Sequence, residues 1–256
     1  MYRLDGRKAI VTGAAHGIGR GIAERLVAEG CDVGIFDRDL ETAQATAKAI
    51  AKPERKVAVA SGDVSVKTDV DRGMAALMGE LGPIDILVNN AGICRIGKLL
   101  DMAESDWNET FGINVNGLFY ATRAVVPQMV ARRRGAVINL ASWMGKSGAD
   151  SYGAYCASKF AVVGLTQTLA LELGAHGVRV NAVGPGLIVD TKMRDESEAM
   201  RRAQGLPTAV DRAKSIPLRR PGYPRDVANA VVFLASEEAD YITGETVSIT
   251  GGLWND

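Results

Sequence analysis

The chain has 256 residues, of which 47% are hydrophobic and 23% charged, and its 30 lysines and arginines balance 30 aspartates and glutamates. This composition is typical of a globular domain and excludes a disordered or low-complexity chain. The balanced charge provides no general positive field for a polyanion, so we expect no nucleic-acid partner.

Short β-branched runs alternate along the chain with longer segments of helical period. Strands are predicted at residues 8–12, 32–36, 56–60, 84–88, 136–141, 178–183 and 246–249. Helices are predicted at residues 17–29, 40–51, 66–81, 104–132, 153–176 and 225–236. This alternation is typical of βαβ units, and apolar runs without alternation indicate strands covered on both faces. We therefore predict an α/β fold, in which residues 1–256 form a single doubly wound (Rossmann) domain with a seven-stranded parallel sheet and helices on both faces.

Residues 187–223 depart from this alternation. They carry many charges, two helix-compatible pieces and the prolines Pro207, Pro217 and Pro221. A long excursion between two strands of one sheet is more often functional than filler, which predicts a substrate lid at about 187–223. The alternative is a solvated surface insertion.

A glycine-rich loop joins the first predicted strand to the first predicted helix. Gly13, Gly17 and Gly19 allow the backbone to turn tightly and to approach a pyrophosphate, and the helix N-terminus then supplies N–H groups and a favourable dipole. The strand–loop–helix context makes this a dinucleotide-binding pattern. His16 and Ile18 lie inside the loop, and we expect them to contact the cofactor too.

The second predicted strand is followed by Asp37 and Arg38. An acidic residue about 20 positions beyond the glycine loop can accept both adenosine-ribose hydroxyls and repel a 2′-phosphate, which favours NAD over NADP. Arg38 argues the other way, because its guanidinium could face a 2′-phosphate. A structural alternative is that Asp37 caps the following helix.

Tyr155 and Lys159 stand four residues apart in a predicted helix, so the phenol and the ammonium can lie side by side on one face. A nearby cation lowers the pKa of a phenol, and a tyrosine tuned in this way can exchange a proton with a carbonyl or an alcohol. Ser142, after the preceding strand, could hold the same substrate oxygen. The pair alone is common on helix surfaces, so its context matters.

Together these motifs resemble the short-chain dehydrogenase/reductase family, and the resemblance extends from Lys8 to Gly252. In chain order the shared motifs are Gly13-x-x-x-Gly17-x-Gly19, Asp63-Val64, Asn89-Asn90-Ala91-Gly92, Asn114, Ser142, Tyr155-x-x-x-Lys159 and Pro185-Gly186.

The resemblance implies a role for each matching residue. It implies that Tyr155 is the general acid/base, that Lys159 lowers the phenol pKa and binds the nicotinamide ribose, and that Ser142 orients the substrate oxygen. Asn114 would hold a water that links the lysine to solvent. Further cofactor contacts are implied for Asp63, Val64, Asn90, Ala91, Gly92, Pro185, Gly186 and Ile188.

The chain departs from the family pattern at two places. Members often place a threonine five residues beyond the Pro185 position to contact the nicotinamide, but here Asp190 stands there and Thr191 follows it. Near the C-terminus, Thr250-Gly251-Gly252 replaces a common Asp-Gly-Gly, and the sequence suggests no function for this change.

We predict an NAD(H)-dependent oxidoreductase that interconverts a secondary alcohol and a ketone by hydride transfer. The expected substrate pocket includes Ser142, Tyr155, Arg95 and Trp143. Arg95 could pair with a carboxylate or with hydroxyls, or it could be an exposed surface arginine, and Trp143 could stack on a sugar ring. Within the family, the sequence looks most like dehydrogenases of sugars, polyols and other small alcohols.

Two other functions remain as alternatives. The first is an NADPH-dependent 3-oxoacyl-[acyl-carrier-protein] reductase, for which the arginines at 132–134 offer a basic patch, although they could equally be a solvated helix end. The second is a non-catalytic dinucleotide sensor on the same fold, because a fold does not dictate an activity.

The remaining expectations concern metals, partners and location. Three widely spaced cysteines and two histidines predict no metal site and fit reduced thiols in a cytoplasmic protein. No apolar run reaches the ~18 residues of a membrane span. The resemblance implies a homotetramer in which the predicted helices 104–132 and 153–176 form one interface and the C-terminal strand and tail form another. Trp254 suggests a buried contact of that tail.

Overall fold

Seven parallel strands form the sheet of the computed structural model, which describes residues 2, 4–203, 205 and 207–254. The strands are β1 Lys8–Thr12, β2 Asp32–Asp37, β3 Val57–Ser61, β4 Ile86–Asn89, β5 Gly135–Leu140, β6 Val178–Pro185 and β7 Thr246–Ile249. Their order across the sheet is β3-β2-β1-β4-β5-β6-β7, and every neighbouring pair is parallel. The predicted sheet is confirmed, with each strand boundary within two residues of its predicted position.

Helices connect successive strands and cover both faces of the sheet. They are α1 Gly17–Ala28, α2 Leu40–Ile50, α3 Lys67–Leu81, α4 Glu104–Phe111, α5 Gly117–Arg132, α6 Gly153–Leu173, α7 Lys192–Ala203, α8 Ala209–Ala213 and α9 Pro224–Ala235. Of the described residues, those in helices include no segment long and apolar enough to cross a membrane.

The predicted single helix 104–132 is instead two helices, α4 and α5, separated by one turn of π-helix at Gly112–Asn116. Such turns occur often at functional sites, and this one contains Asn114. In the 187–223 segment, the two helix-compatible pieces form α7 and α8.

The buried core lies in two layers, one on each face of the sheet. Alternate residues of β1 face opposite layers, as strand geometry requires: Ala9 and Val11 pack with α1 and α9, whereas Ile10 packs with α3 and α5. The helices change face between β1 and β4, where the strand order reverses. In open α/β sheets, ligands bind beyond the carboxyl ends of the strands at this switch point.

Candidate active site

The glycine loop lies at the carboxyl end of β1, next to the switch point. Gly13 and Gly17 have φ values of 64° and 57°. A Cβ on Gly19 would lie 2.2 Å from the carbonyl oxygen of Gly13, so a larger residue does not fit. In the described structure the His16 side chain makes no capping hydrogen bond to α1. The first-turn amides of α1 therefore lack a side-chain acceptor, and this loop and helix end fit the phosphates of a dinucleotide.

Asn90 and Ala91 tie the end of β4 to the glycine loop. The Asn90 amide donates hydrogen bonds to the carbonyl oxygens of Thr12 and Gly13, at 2.9 and 2.8 Å. The backbone N–H groups of Asn90 and Ala91 both donate to the Thr12 hydroxyl at 3.1 Å. These contacts fix the shape of the loop.

The Asp37 carboxylate is buried at the end of β2 and is held by two amides. It accepts hydrogen bonds from Ala15 N–H at 2.9 Å and from Asp39 N–H at 3.1 Å. Asp39, and not Asp37, caps α2 by accepting from Thr42 N–H at 3.0 Å, so the capping alternative for Asp37 is wrong. The Arg38 side chain next to it is exposed.

Asp63 and Val64 follow β3 on the same edge of the sheet. The Asp63 carboxylate accepts from both the N–H and the hydroxyl of Ser65, at 2.8 and 2.7 Å. Val64 is buried, and a Cβ on Gly117 would lie 2.9 Å from its side chain. The pair therefore connects the site edge to the start of α5.

Tyr155, Lys159 and Ser142 come together where α6 passes the end of β5. The Lys159 ammonium lies 5.6 Å from the centre of the Tyr155 ring and donates to the Leu140 carbonyl oxygen at 2.6 Å. Ser142 lies near enough to the Tyr155 phenol to lower its pKa, and its hydroxyl accepts from Met144 N–H at 3.2 Å. This is the arrangement that the i, i+4 spacing predicts.

Burial sets the protonation of both groups. It raises the pKa of Tyr155 above its ordinary value, and the nearby Cys94 thiol adds to this, whereas the Ser142 hydroxyl and the Arg194 charge oppose it. Burial also lowers the pKa of Lys159 to about 8. In this structure, burial thus outweighs the lowering of the phenol pKa that the resemblance implies, and the phenol keeps its proton at neutral pH.

Asn114 lies beside this pair, in the π-turn between α4 and α5. Its side chain accepts from Ile93 N–H at 2.8 Å and donates to the Ile93 carbonyl and the Ser158 hydroxyl, both at 3.0 Å. A Cβ on Gly92 would lie 3.2 Å from the Asn114 amide oxygen and 3.6 Å from the Lys159 ammonium. The side chain therefore borders the same space as the lysine.

The two predicted substrate residues have different surroundings. The Arg95 guanidinium binds the Glu109 carboxylate at 2.6 Å, with Asp106 at 3.8 Å, and it is half exposed. This geometry agrees with the alternative of a surface arginine. Trp143 follows Ser142 directly and lies against Trp254, with ring centres 6.0 Å apart.

The segment after β6 closes over the glycine loop. Gly186 N–H donates to the Ile249 carbonyl at 3.0 Å, and Ile188 pairs with Gly222. Asp190 has a φ of 58°, and Thr191 then accepts from Arg194 N–H at 3.2 Å.

The start of α7 thereby lies above α1. A Cβ on Gly17 would be 3.4 Å from Thr191, so the segment touches the glycine loop.

Cys94 and Arg194 also act on the site; the sequence places Cys94 beside Arg95 on the expected pocket wall, whereas sequence reasoning missed Arg194. Burial raises the pKa of the Cys94 thiol to about 12, so the thiol is neutral beside Lys159. Arg194 acts electrostatically on both Tyr155 and Cys94 from the 187–223 segment. No local sequence motif indicates Arg194. Among the described residues, no cluster of three or more histidine, cysteine or acidic side chains could hold a metal ion.

Comparisons with known proteins agree with the fold and the site geometry described above. A family model described as enoyl-(acyl carrier protein) reductase matches residues 13–254. The chain is 38% identical over 260 residues to a sorbitol dehydrogenase of Cereibacter sphaeroides, covering 98% of this chain and 99% of that protein. It is 38% identical over 256 residues to a galactitol 2-dehydrogenase of Agrobacterium fabrum, with the same coverage.

A 3-oxoacyl-[acyl-carrier-protein] reductase of Staphylococcus epidermidis is equally similar, at 38% identity over 250 residues and 97% and 99% coverage. Among solved structures, the crystal structure of levodione reductase superposes with a TM-score of 0.93 at 31% identity and covers 98% of each chain. These relatives are named as dehydrogenases and reductases, and their names refer to different substrates.

Proposed function

Because the chain belongs to the short-chain dehydrogenase/reductase family and is an oxidoreductase acting on CH–OH groups, we propose that it is an NAD(H)-dependent dehydrogenase of small alcohols. Its substrate is a polyol, a sugar or another small secondary alcohol, which it interconverts with the ketone. The observation that carries the choice of NAD is the buried Asp37 carboxylate beside the glycine loop.

The chemistry divides among three side chains. Ser142 hydrogen-bonds the oxygen that reacts and aligns it with the Tyr155 phenol. Tyr155 donates its proton to the carbonyl oxygen in reduction and takes it back in oxidation. Lys159 places a cation within 5.6 Å of the ring and favours the phenolate form when the proton leaves. The bound nicotinamide supplies or accepts the hydride.

Asn114 supports this proton exchange from behind the lysine. Its amide is fixed by Ile93 and Ser158, and it borders the space next to the Lys159 ammonium. We assign it to hold the water that connects Lys159 to solvent. The 187–223 segment acts as the lid, since it begins over the glycine loop and brings Arg194 toward Tyr155.

Asp37 favours NAD through its fixed negative charge. Its two amide donors hold the carboxylate at the end of β2, where the adenosine ribose of a dinucleotide lies in this fold. A 2′-phosphate at about 4 Å from this charge would be disfavoured by about 1–4 kcal/mol. Arg38 is exposed and offers only a screened opposing charge.

The cofactor proposal is tested by initial rates with NAD and NADP, monitored at the NADH absorbance band. We expect wild-type protein to prefer NAD by about tenfold or more, since 1.4 kcal/mol is a factor of ten. Asp37→Ser removes the charge and should shift the ratio toward NADP by a similar factor. Asp39→Asn is the matched control, because it removes a charge two residues away and keeps the cap on α2. Preference of the wild-type protein for NADP would contradict the proposal.

The second candidate, a 3-oxoacyl-[acyl-carrier-protein] reductase, is favoured by the relatives of equal identity. The arginines at 132–134 give it little support, because they lie at the start of β5, at the opposite edge of the sheet from Tyr155. Arg132 and Arg134 also face Asp85, at 3.1 and 4.0 Å. A higher kcat/KM for a 3-oxoacyl thioester with NADPH than for any polyol with NAD would establish this candidate instead.

A dinucleotide sensor is disfavoured because Ser142, Tyr155 and Lys159 are all present and in contact distance. Binding of NAD without turnover across a panel of polyols, sugars, diols and a 3-oxoacyl thioester would favour the sensor.

We also propose a homotetramer that uses α5 and α6. These helices expose Phe119, Phe160 and Leu171, the last at 86%. Apolar side chains of this size grouped on neighbouring helices are typical of interfaces. Light scattering after size exclusion should give the mass of four chains, and any other mass would contradict this assembly.

A further inference from the structure

The C-terminal tail, residues 250–254, begins beside the candidate active site. The strands β5, β6 and β7 are neighbours and end at the same edge of the sheet. Ser142 lies just beyond β5, Gly186 follows β6 and Thr250 follows β7. A Cβ on Gly186 would lie 3.0 Å from the Cα of Thr250, so the two backbones are in contact.

The tail turns back across β6 and reaches the residue next to Ser142. Gly251 and Gly252 have φ values of 66° and 90°, and they make the tight turn possible. The Thr250 hydroxyl closes this turn, because it donates to the Trp254 carbonyl at 3.1 Å and accepts from Trp254 N–H at 3.4 Å. The Trp254 ring then lies against Trp143 at a centre distance of 6.0 Å and an angle of 35°.

The tail is also attached to the 187–223 segment. Leu253 packs on the cluster of Leu187, Ala209, Ala213 and Ile216. Leu218 N–H donates to the Gly251 carbonyl at 3.1 Å. A Cβ on Gly252 would lie 2.7 Å from the Pro217 ring, so this approach also requires glycine. The tail thus links the residue after Ser142 to the lid.

The indole N–H of Trp254 is buried without a hydrogen-bond partner among the described residues. A buried donor left in this state destabilises the fold. Stability alone would be served at least as well by phenylalanine, which lacks the donor. The choice of tryptophan at this position therefore calls for a reason other than stability.

We propose that the tail is a substrate-selecting element, in which Thr250 holds Trp254 on Trp143 and the two indoles close the substrate pocket beside Ser142. This inference rests on the proposed function and specifies its substrate class: small alcohols whose C–H face packs on an indole, and not chains that extend past Ser142. Thr250 is a positioning residue, since it acts through Trp254. This proposal gives a function to Thr250, which stands where members of the family commonly have an aspartate.

The test uses two matched pairs, Thr250→Val with Thr250→Ser, and Trp254→Ala with Trp254→Phe. Valine keeps the shape of threonine without the hydroxyl, whereas serine keeps the hydroxyl. We expect Thr250→Val to raise KM for the best small alcohol by about fivefold to tenfold with kcat retained, as loss of roughly 1 kcal/mol implies. Thr250→Ser should restore the wild-type KM.

Trp254→Ala should raise the same KM by about tenfold or more and should gain rate on bulkier secondary alcohols, because the closed end of the pocket is opened. Trp254→Phe should lie between it and the wild type. Circular dichroism provides an independent measurement, because the electronic transitions of two indoles as close as Trp143 and Trp254 couple and give a combined signal. The coupled signal should disappear in Thr250→Val and persist in Trp107→Phe, whose ring lies on α4 against Phe111.

The outcomes separate this proposal from the proposed function. If wild-type protein turns over a thioester and no polyol, the proposed function fails, and the variants are then compared on the thioester. Wild-type KM values in Thr250→Val and Trp254→Ala would overturn the tail proposal, whatever the substrate. Equal losses in Thr250→Val and Thr250→Ser would also overturn it.

Discussion

The catalytic cluster of Asn114, Ser142, Tyr155 and Lys159 and the 187–223 segment are built in opposite ways. Three members of the cluster are buried, and each is tied to backbone by at least one hydrogen bond. The 187–223 segment is rich in charge, and its described residues include two non-glycine residues with positive φ and a small buried cluster of four residues. A rigid cluster suits proton transfer, and a loosely packed segment suits selection of different substrates on one reaction.

The largest effect is expected when the Tyr155 hydroxyl, which carries the proton to be exchanged, is removed from the cluster. Tyr155→Phe deletes only the hydroxyl, so we expect kcat to fall by about 10²–10⁴-fold, the usual contribution of a general acid/base. Binding of the dinucleotide should stay within about twofold, since the ring is kept. Steady-state rates and calorimetric titration measure the two quantities. A kcat near that of the wild type would show that another group transfers the proton.

A second test asks whether burial of the Lys159 ammonium stabilises or destabilises the fold. The pKa of Lys159 falls from its ordinary 10.5 to about 8 on folding. The buried ammonium therefore lowers the free energy of unfolding by about 3 kcal/mol below pH 8, and this penalty disappears as pH rises toward 10.5.

Lys159→Met should accordingly lose turnover while its stability relative to wild type is greatest near pH 7 and declines between pH 8 and 10.5. Urea unfolding across that range measures the difference. Lys192→Met, at an exposed lysine of the 187–223 segment, is the matched control and should show no such slope. An equal slope in both variants would refute the account of Lys159.

The smallest expected effect concerns the glycine loop, which the 187–223 segment contacts through Thr191. A Cβ on Gly19 would meet the Gly13 carbonyl and the Asn90 amide at 2.2 and 2.5 Å, so Gly19→Ala should weaken dinucleotide binding by about tenfold or more. Gly79→Ala is the control in α3, where the added methyl meets nothing within 4 Å. It should leave binding unchanged and stabilise the fold by about 0.5–1 kcal/mol. Similar binding losses in both variants would contradict the role of the loop.

Features that depend on local sequence patterns could be predicted, whereas features that depend on contacts between distant segments could not. The alternation of strands and helices and the i, i+4 pair are local patterns, and both the seven-stranded parallel sheet and the proximity of Tyr155 to Lys159 agree with the structure. The π-turn at Asn114 was not predicted, although Gly112, Asn114 and Asn116 within it are weak helix formers. The alternative of Asp37 as the cap of α2 was wrong, although a helix that begins at residue 40 places Asp39 at the N-cap position.

Contacts between distant segments were beyond local patterns. Arg95 pairs with Glu109, fourteen residues away in sequence, and nothing in its own motif indicates this partner. Trp254 was expected to make a buried tail contact, but its partner Trp143 lies more than one hundred residues earlier. Arg194 reaches the cluster only because the 187–223 segment folds back over the sheet edge.

The most direct measurement is a side-by-side determination of kcat and KM for Tyr155→Phe and Trp254→Ala on the best small alcohol with NAD. The account predicts a large loss of kcat with little change in KM for the first, and a raised KM with kcat retained for the second. The same pattern in both variants would contradict a division between a cluster that performs the reaction and a lid and tail that select the substrate.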